Sequence, residues 1–263
     1  SEFTDLANRI QLSTTKVRTL DSQNQPKISF VAFAIPEGIS KPAVDESTPK
    51  QYDLAYTLVL RDSTMREIER FSEGAVAGLE NTALFTISDK AHASHFTIAA
   101  EAVARDTLQI LGSGQAFYAK DPPLDPDPQK LEVSDLVIGI LPPKSADFSH
   151  FPFPILPSHK IWRGDALQVY FEAYHLTPDT DNAHRFSVEV RLTRLEKKKD
   201  KIKRKEMIAS TFDFSSAAAT AKEFFGVDVE KLEKGDYELG VQVEDKNTSQ
   251  RKRRTVLFEV VEK

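Results

Sequence analysis

Few side chains in this sequence are spaced for chemistry. His92-Ala-Ser-His95 is a close histidine pair. A zinc site takes three or four ligands and no third one stands nearby, so the pair reads as turn histidines. His150, His159, His175 and His184 are scattered, and no His-Glu-x-x-His occurs. Cysteine is absent, which removes disulfides, thiolate metal sites and a cysteine nucleophile together. Gly112-Ser-Gly114 lacks the Gly-x-Ser-x-Gly frame of a nucleophile elbow and reads as a turn. Glu172, between Tyr170 and Tyr174, could act as an acid in a carbohydrate cleft. Glycoside hydrolysis needs a second carboxylate, so an outward-facing cross-strand ladder is the better reading. Asp121, Asp125 and Asp127 offer oxygens of the kind calcium takes, but prolines interleave them and a solvated linker is expected. Asp179-Thr-Asp-Asn182 lacks the Gly and distal Glu of an EF-hand loop. The expectation is no catalytic residue, no metal and no cofactor.

Two groups are better suited to recognition. The first is cationic: Lys197, Lys198, Lys199, Lys201, Lys203, Arg204 and Lys205 on one hairpin, and Arg251, Lys252, Arg253 and Arg254 on another. Joined, they would make a patch for an anionic partner. Separately, Lys201 to Lys205 alternate as an edge strand guarded by charge would, with Ile202 turned inward. The second group is aromatic. Phe148, Phe151, Phe153 and Trp162 accompany Pro142, Pro143, Pro152, Pro154 and Pro157. Such a loop either contacts a protein or glycan or folds down over the end of its own core.

The elements that must carry these residues are strands. Seventeen Phe against two Met and one Trp, with 40% hydrophobic residues, describe a core of β-type composition. Ile28–Ile35, Tyr52–Leu60, Leu167–Leu176 and Leu232–Val261 give the clearest strand patterns. Asp5–Leu12 fits a short helix or a lead-in, Lys16–Leu20 an edge strand, and Ser215–Ala221 a helical turn. No apolar run approaches the 18 or so residues of a membrane span. The opening Ser1-Glu2-Phe3 resembles a cloning scar. Residues 1–130 carry 13 Lys and Arg against 18 Asp and Glu, and residues 131–263 carry 22 of each. That balance argues against specific nucleic-acid binding.

The closing stretch, Leu232 to Val261, has a diluted copy 141 residues earlier. Without gaps, Phe96 meets Tyr237, Ile98 meets Leu239, Ala100 meets Val241 and Phe117 meets Phe258. Upstream, Leu84 falls on Phe225 and Thr86 on Val227. A period of this length suits a duplicated domain. Asp121–Pro128, with four prolines in eight residues, is the natural joint. The expected fold is therefore all-β, with two tandem antiparallel Ig-like or fibronectin-like β-sandwich domains. They span residues 1–120 and 131–263, and residues 121–130 link them. Leu232-x-x-Gly-Asp-Tyr237-x-Leu239 has the form of a tyrosine corner.

Gly-Asp165-x-Leu-x-Val-Tyr-Phe-Glu-x-Tyr174, Leu131-Glu-Val-Ser-Asp-Leu136 and the Leu232–Asp245 pattern resemble the β-sandwich region of bacterial GWxTD-motif proteins. Similar regions occur in exported proteins related to von Willebrand factor A domains. The likeness covers roughly residues 84–263. The GWxTD motif itself is missing, the one tryptophan standing in Ile161-Trp-Arg-Gly-Asp165. The resemblance implies a non-catalytic Ig-like module of a bacterial exported protein, periplasmic or extracellular, and carries over no functional residue. Its expected partner is a protein; a glycan or an anionic polymer is the alternative.

Overall fold

The computed structural model of the chain describes residues 10–36, 52–74, 81–90, 92–140, 154–198 and 201–262. Every regular element among them is a strand. By contacts the chain divides into two compact units, residues 1–16 with 28–122, and residues 17–27 with 123–263.

The first unit takes most of β1 (Ile10–Leu20) and β2 (Pro26–Pro36), then β3 (Tyr52–Arg61), β4 (Glu67–Gly74), β5 (Thr82–Ser88), β6 (His95–Ala104) and β7 (Ile110–Ala119). They form two sheets, ordered β1-β2-β5 and β4-β3-β6-β7. Side chains alternate across a strand, so Phe30, Ala32 and Ala34 of β2 turn to one side. They meet Tyr56, Leu58 and Leu60 of β3 and Phe96, Ile98 and Ala100 of β6 in one apolar core. The rings of Phe30 and Phe96 lie 5.1 Å apart, tilted at 52°. The buried Tyr56 hydroxyl donates to the Asn81 carbonyl, and burial pushes its pKa up to about 12.

The second unit contains β8 (Glu132–Val133), β9 (Val137–Ile140), β10 (Lys160–Trp162), β11 (Leu167–Tyr174), β12 (His184–Lys198), β13 (Lys201–Ser216), β14 (Ala221–Val227), β15 (Gly235–Asp245) and β16 (Arg251–Val261). One sheet runs β14-β11-β8, with β9 also on β11; the other runs β10-β16-β15-β12-β13. Among the described residues its strands pair antiparallel except β10 on β16, which is parallel. Val169 and Phe171 of β11, Val188 and Val190 of β12, and Leu239 and Val241 of β15 share its core. Tyr237 donates to the Glu233 carbonyl at 2.7 Å, four residues upstream, and stacks on Phe258 with centroids 5.5 Å apart.

Several expectations shift. Ile10–Leu12 begin a strand, while residues 1–9 lie outside the described ones. Lys16–Leu20 complete that strand, at the edge of its sheet. The span 215–221 holds no helical turn: β13 runs to Ser216 and β14 starts at Ala221. The 141-residue offset holds only along β6 and β15. Phe96 pairs with Tyr118, whereas Tyr237 pairs with Phe258. Phe117 is therefore outward and 67% exposed, while Phe258 is buried. Likewise Phe85 and Ile87, not Leu84 and Thr86, are the inward residues of β5 that match Phe225 and Val227 of β14. Small Thr and Ala residues on both faces hid these one-residue slips.

Candidate functional site

Tyr170, Glu172 and Tyr174 follow at alternate positions on β11 and so share one face, as the pattern predicted. The face is sealed. Tyr170 donates to one Glu172 carboxylate oxygen at 2.5 Å and Tyr174 to the other at 2.9 Å. The Tyr174 oxygen also accepts the Leu20 N–H at 3.0 Å. Val17 and Val137 cover Tyr170, and Leu20 and Leu124 cover Tyr174. The outward ladder is thus a buried one, and Glu172 is 8% exposed. Burial, with the adjacent carboxylate, raises the pKa of both tyrosines. Arg18 fixes the cover by a two-pronged bond to Asp135, at 2.8 and 2.6 Å. The proline-rich stretch supplies Leu124, 1% exposed; Asp125 and Asp127 there pair with Lys130 at 3.0 and 3.3 Å.

Glu132 makes a second internal polar knot. Its oxygens accept from Arg254 at 2.8 Å and Lys252 at 3.0 Å. The backbone N–H groups of Val133 and Asp125 add bonds of 2.9 and 3.1 Å. Burial alone would raise this carboxyl's pKa, but these donors together hold it below its ordinary value. Arg254 also donates to the Val133 carbonyl, so it is a structural ligand of Glu132 within its own unit.

The other expected cations lie on the outer face or rim of the long sheet. Arg251 pairs with Glu244 at 3.0 Å. Arg253 crosses the open backbone of Gly240 toward Glu238 at 3.6 Å, and Arg204 donates to the same Glu238 at 2.8 Å. Lys197 lies 3.7 Å from Asp236. Lys198 ends β12 opposite Lys201, and Lys199 falls outside the described residues. The two basic hairpins approach each other at Glu238, which takes Arg204 from one and Arg253 from the other, while Arg254 and Lys197 lie apart. Arg254 stands opposite Val241, and Val241 opposite Val190. Lys197 is seven residues further along β12, about 23 Å at strand rise.

Lys201, Lys203 and Lys205 have no ion-pair partner among the described residues. They share one face of β13, while Ile202 and Arg204 take the other; Ile202 is 60% exposed instead of inward. Phe148, Phe151 and Phe153 lie outside the described residues. Trp162 is half exposed on β10.

The chain matches no family model and no curated protein.

No group of three His, Cys, Asp or Glu suited to a metal occurs among the described residues. His92 is an exposed turn residue and His95 opens β6 opposite Arg61. A cleft of about 450 Å³ lies between the β1–β2 turn at Ser22 and Asn24 and the strand ends at His175 and Thr220. His175 holds a left-handed φ of 61° and bonds the Lys130 carbonyl through Nδ1 at 2.9 Å. What the sequence pattern missed is the apolar rim: Met207 and Phe212 on β13, Phe224 on β14 and Leu257 on β16 are all exposed. The signal was present, since β13 alternates beyond the strand that would cover it, but an edge position is a property of the sheet.

Proposed function

We propose that this chain is a non-catalytic interaction module of a bacterial exported protein, built from two tandem Ig-like β-sandwich domains that arose by duplication. What supports the sandwich reading is the common strand order. The β1-β2-β5 and β4-β3-β6-β7 sheets correspond to β8-β11-β14 and β13-β12-β15-β16, and Tyr237 makes a tyrosine-corner bond. The GWxTD-type resemblance supports the exported, scaffolding role.

One observation carries the interaction reading. The buried Tyr170, Glu172 and Tyr174 bind one another and Glu132 is held by Lys252 and Arg254, whereas the exposed apolar side chains Phe212, Phe224, Met207 and Trp162 sit on strand edges and outer faces. Extended, flat, partly apolar surfaces suit a protein partner. A photoreactive side chain placed at Phe212, Phe224 or Trp162 should cross-link one protein saturably, and excess unlabelled chain should suppress it. Labelling that is absent at all three positions, or that free chain does not compete, overturns the proposal. Lys201, Lys203 and Lys205, which close no ion pair among the described residues, favour a second reading, capture of an anionic polymer; salt-sensitive retention on heparin, lost on neutralising them, would be its mark.

A further inference from the structure

We infer that the free edge of β13 is a strand-addition site for an acidic extended segment of another protein. This rests on the interaction reading and names its surface and partner. Among the described residues β13 is the last strand of its sheet, and it runs for 16 residues. In an antiparallel ladder, alternate residues turn their N–H and C=O away from the neighbour. About half of β13 therefore presents unfilled backbone donors and acceptors, and residues 201–207 are exposed throughout.

The side chains select the occupant. Lys201, Lys203 and Lys205 repeat at every second residue on one face and close no ion pair among the described residues; Glu196 stands opposite Lys203, but Lys201 faces Lys198 and Lys205 faces Arg194, so the stretch stays cationic. Beyond the shift in register between Leu192 and Thr193, the inward positions become Ile208, Ser210, Phe212 and Phe214. Phe212, opposite Val188, is 47% exposed at the rim of the core. A strand carrying carboxylates over one half and apolar residues over the other would pair its acids with the three lysines and cover Phe212.

Edge lysines also guard against aggregation, and here the two roles coincide. A second copy of β13 would bring lysines beside lysines or cover them with Phe212, whereas an acidic strand gains at each position. Opposite-charge cross-strand pairs favour pairing and like charges oppose it. The charge that excludes self-association is what admits this partner.

The probe is a fluorescent twelve-residue peptide with Glu alternating with Thr over one half and Val with Thr over the other. Titrated against the whole chain by anisotropy, it should bind saturably. Lys201→Glu, Lys203→Glu and Lys205→Glu together should weaken binding on the order of ten- to hundredfold. A Lys-for-Glu version of the peptide should then prefer the variant. N-methylation of alternate peptide amides should abolish binding, because it removes the ladder donors. The substituted lysines are exposed, and an unchanged thermal midpoint will show that the variant folds. Equal binding of the methylated peptide would mean charge capture only, as for an anionic polymer, and overturns strand addition. So does a triple variant that binds like the wild type, or a wild type that does not bind. Failure here with cross-linking intact at Trp162 or Phe224 removes this site alone; loss of both removes the interaction reading as well.

Discussion

Glu132 gathers four donors onto one carboxylate that is 2% exposed. Removing its charge leaves Arg254 and Lys252 facing a neutral group in a largely desolvated place. Breaking a buried pair from one side is costly, so Glu132→Gln should lower unfolding stability by ~3 kcal/mol in urea titration at neutral pH. The pH dependence has a definite sign. The carboxyl's pKa is below its ordinary 4.5 in the folded chain, so its contribution is complete above that value and fades as pH falls through the lower, folded-state one. The gap between wild type and Glu132→Gln should therefore narrow in acid. A gap that is constant down to the acid limit would mean that Gln costs packing alone. Exposed pairs such as Arg105 with Asp53 carry no comparable weight.

Among the elements, β1 shows how tightly strands are set against their neighbours. A Cβ on Gly114 of β7 would lie 2.7 Å from the Ile10 carbonyl oxygen, so only glycine lets β1 approach there. Gly114→Ala should cost ~2 kcal/mol through forced displacement. Gly74→Ala, where a Cβ meets nothing within 4 Å, should be near neutral, and equal thermal midpoints for the two would refute the close-approach account. The existence of such strands was legible in the sequence because alternating apolar residues declare them. Register was not. Phe117 and Phe258 are alike in type, yet one residue's slip puts the first in solvent and the second in the core. For β11, polarity pointed outward for Tyr170, Glu172 and Tyr174; their cover comes from Val137 and Leu124 and from Val17 and Leu20 some 150 positions earlier, which no local pattern reveals. The candidate site was half legible. The lysines were visible, but which cations are spoken for depends on neighbours across the sheet: Arg204 by Glu238, Arg254 by Glu132 and Lys201 by none among the described residues.

For the whole molecule, the division into units does not follow one cut in the chain. Residues 17–27 group with residues 123–263. A fragment starting at the proline-rich stretch, near residue 121, keeps both sheets of the second unit but loses Val17, Arg18 and Leu20. The Tyr170–Glu172–Tyr174 face would then keep only Val137 and Leu124 of the four apolar residues that cover it, and Asp135 would lose its guanidinium. Such a fragment should melt below the corresponding transition of the intact chain, and a synthetic peptide of residues 15–29 should recover part of the loss. An unchanged midpoint without the peptide would show that the cover adds nothing. The same feature bears on biosynthesis. The Arg18–Asp135 and Leu20–Tyr174 bonds span 117 and 154 positions, so the hairpin tip leaves the ribosome long before its partners exist. At 5–20 residues per second the wait is roughly 6–30 s. Through that interval Val17 and Leu20 have no seat among residues 123–263, and the second unit can close only after its last strand, β16, has been translated.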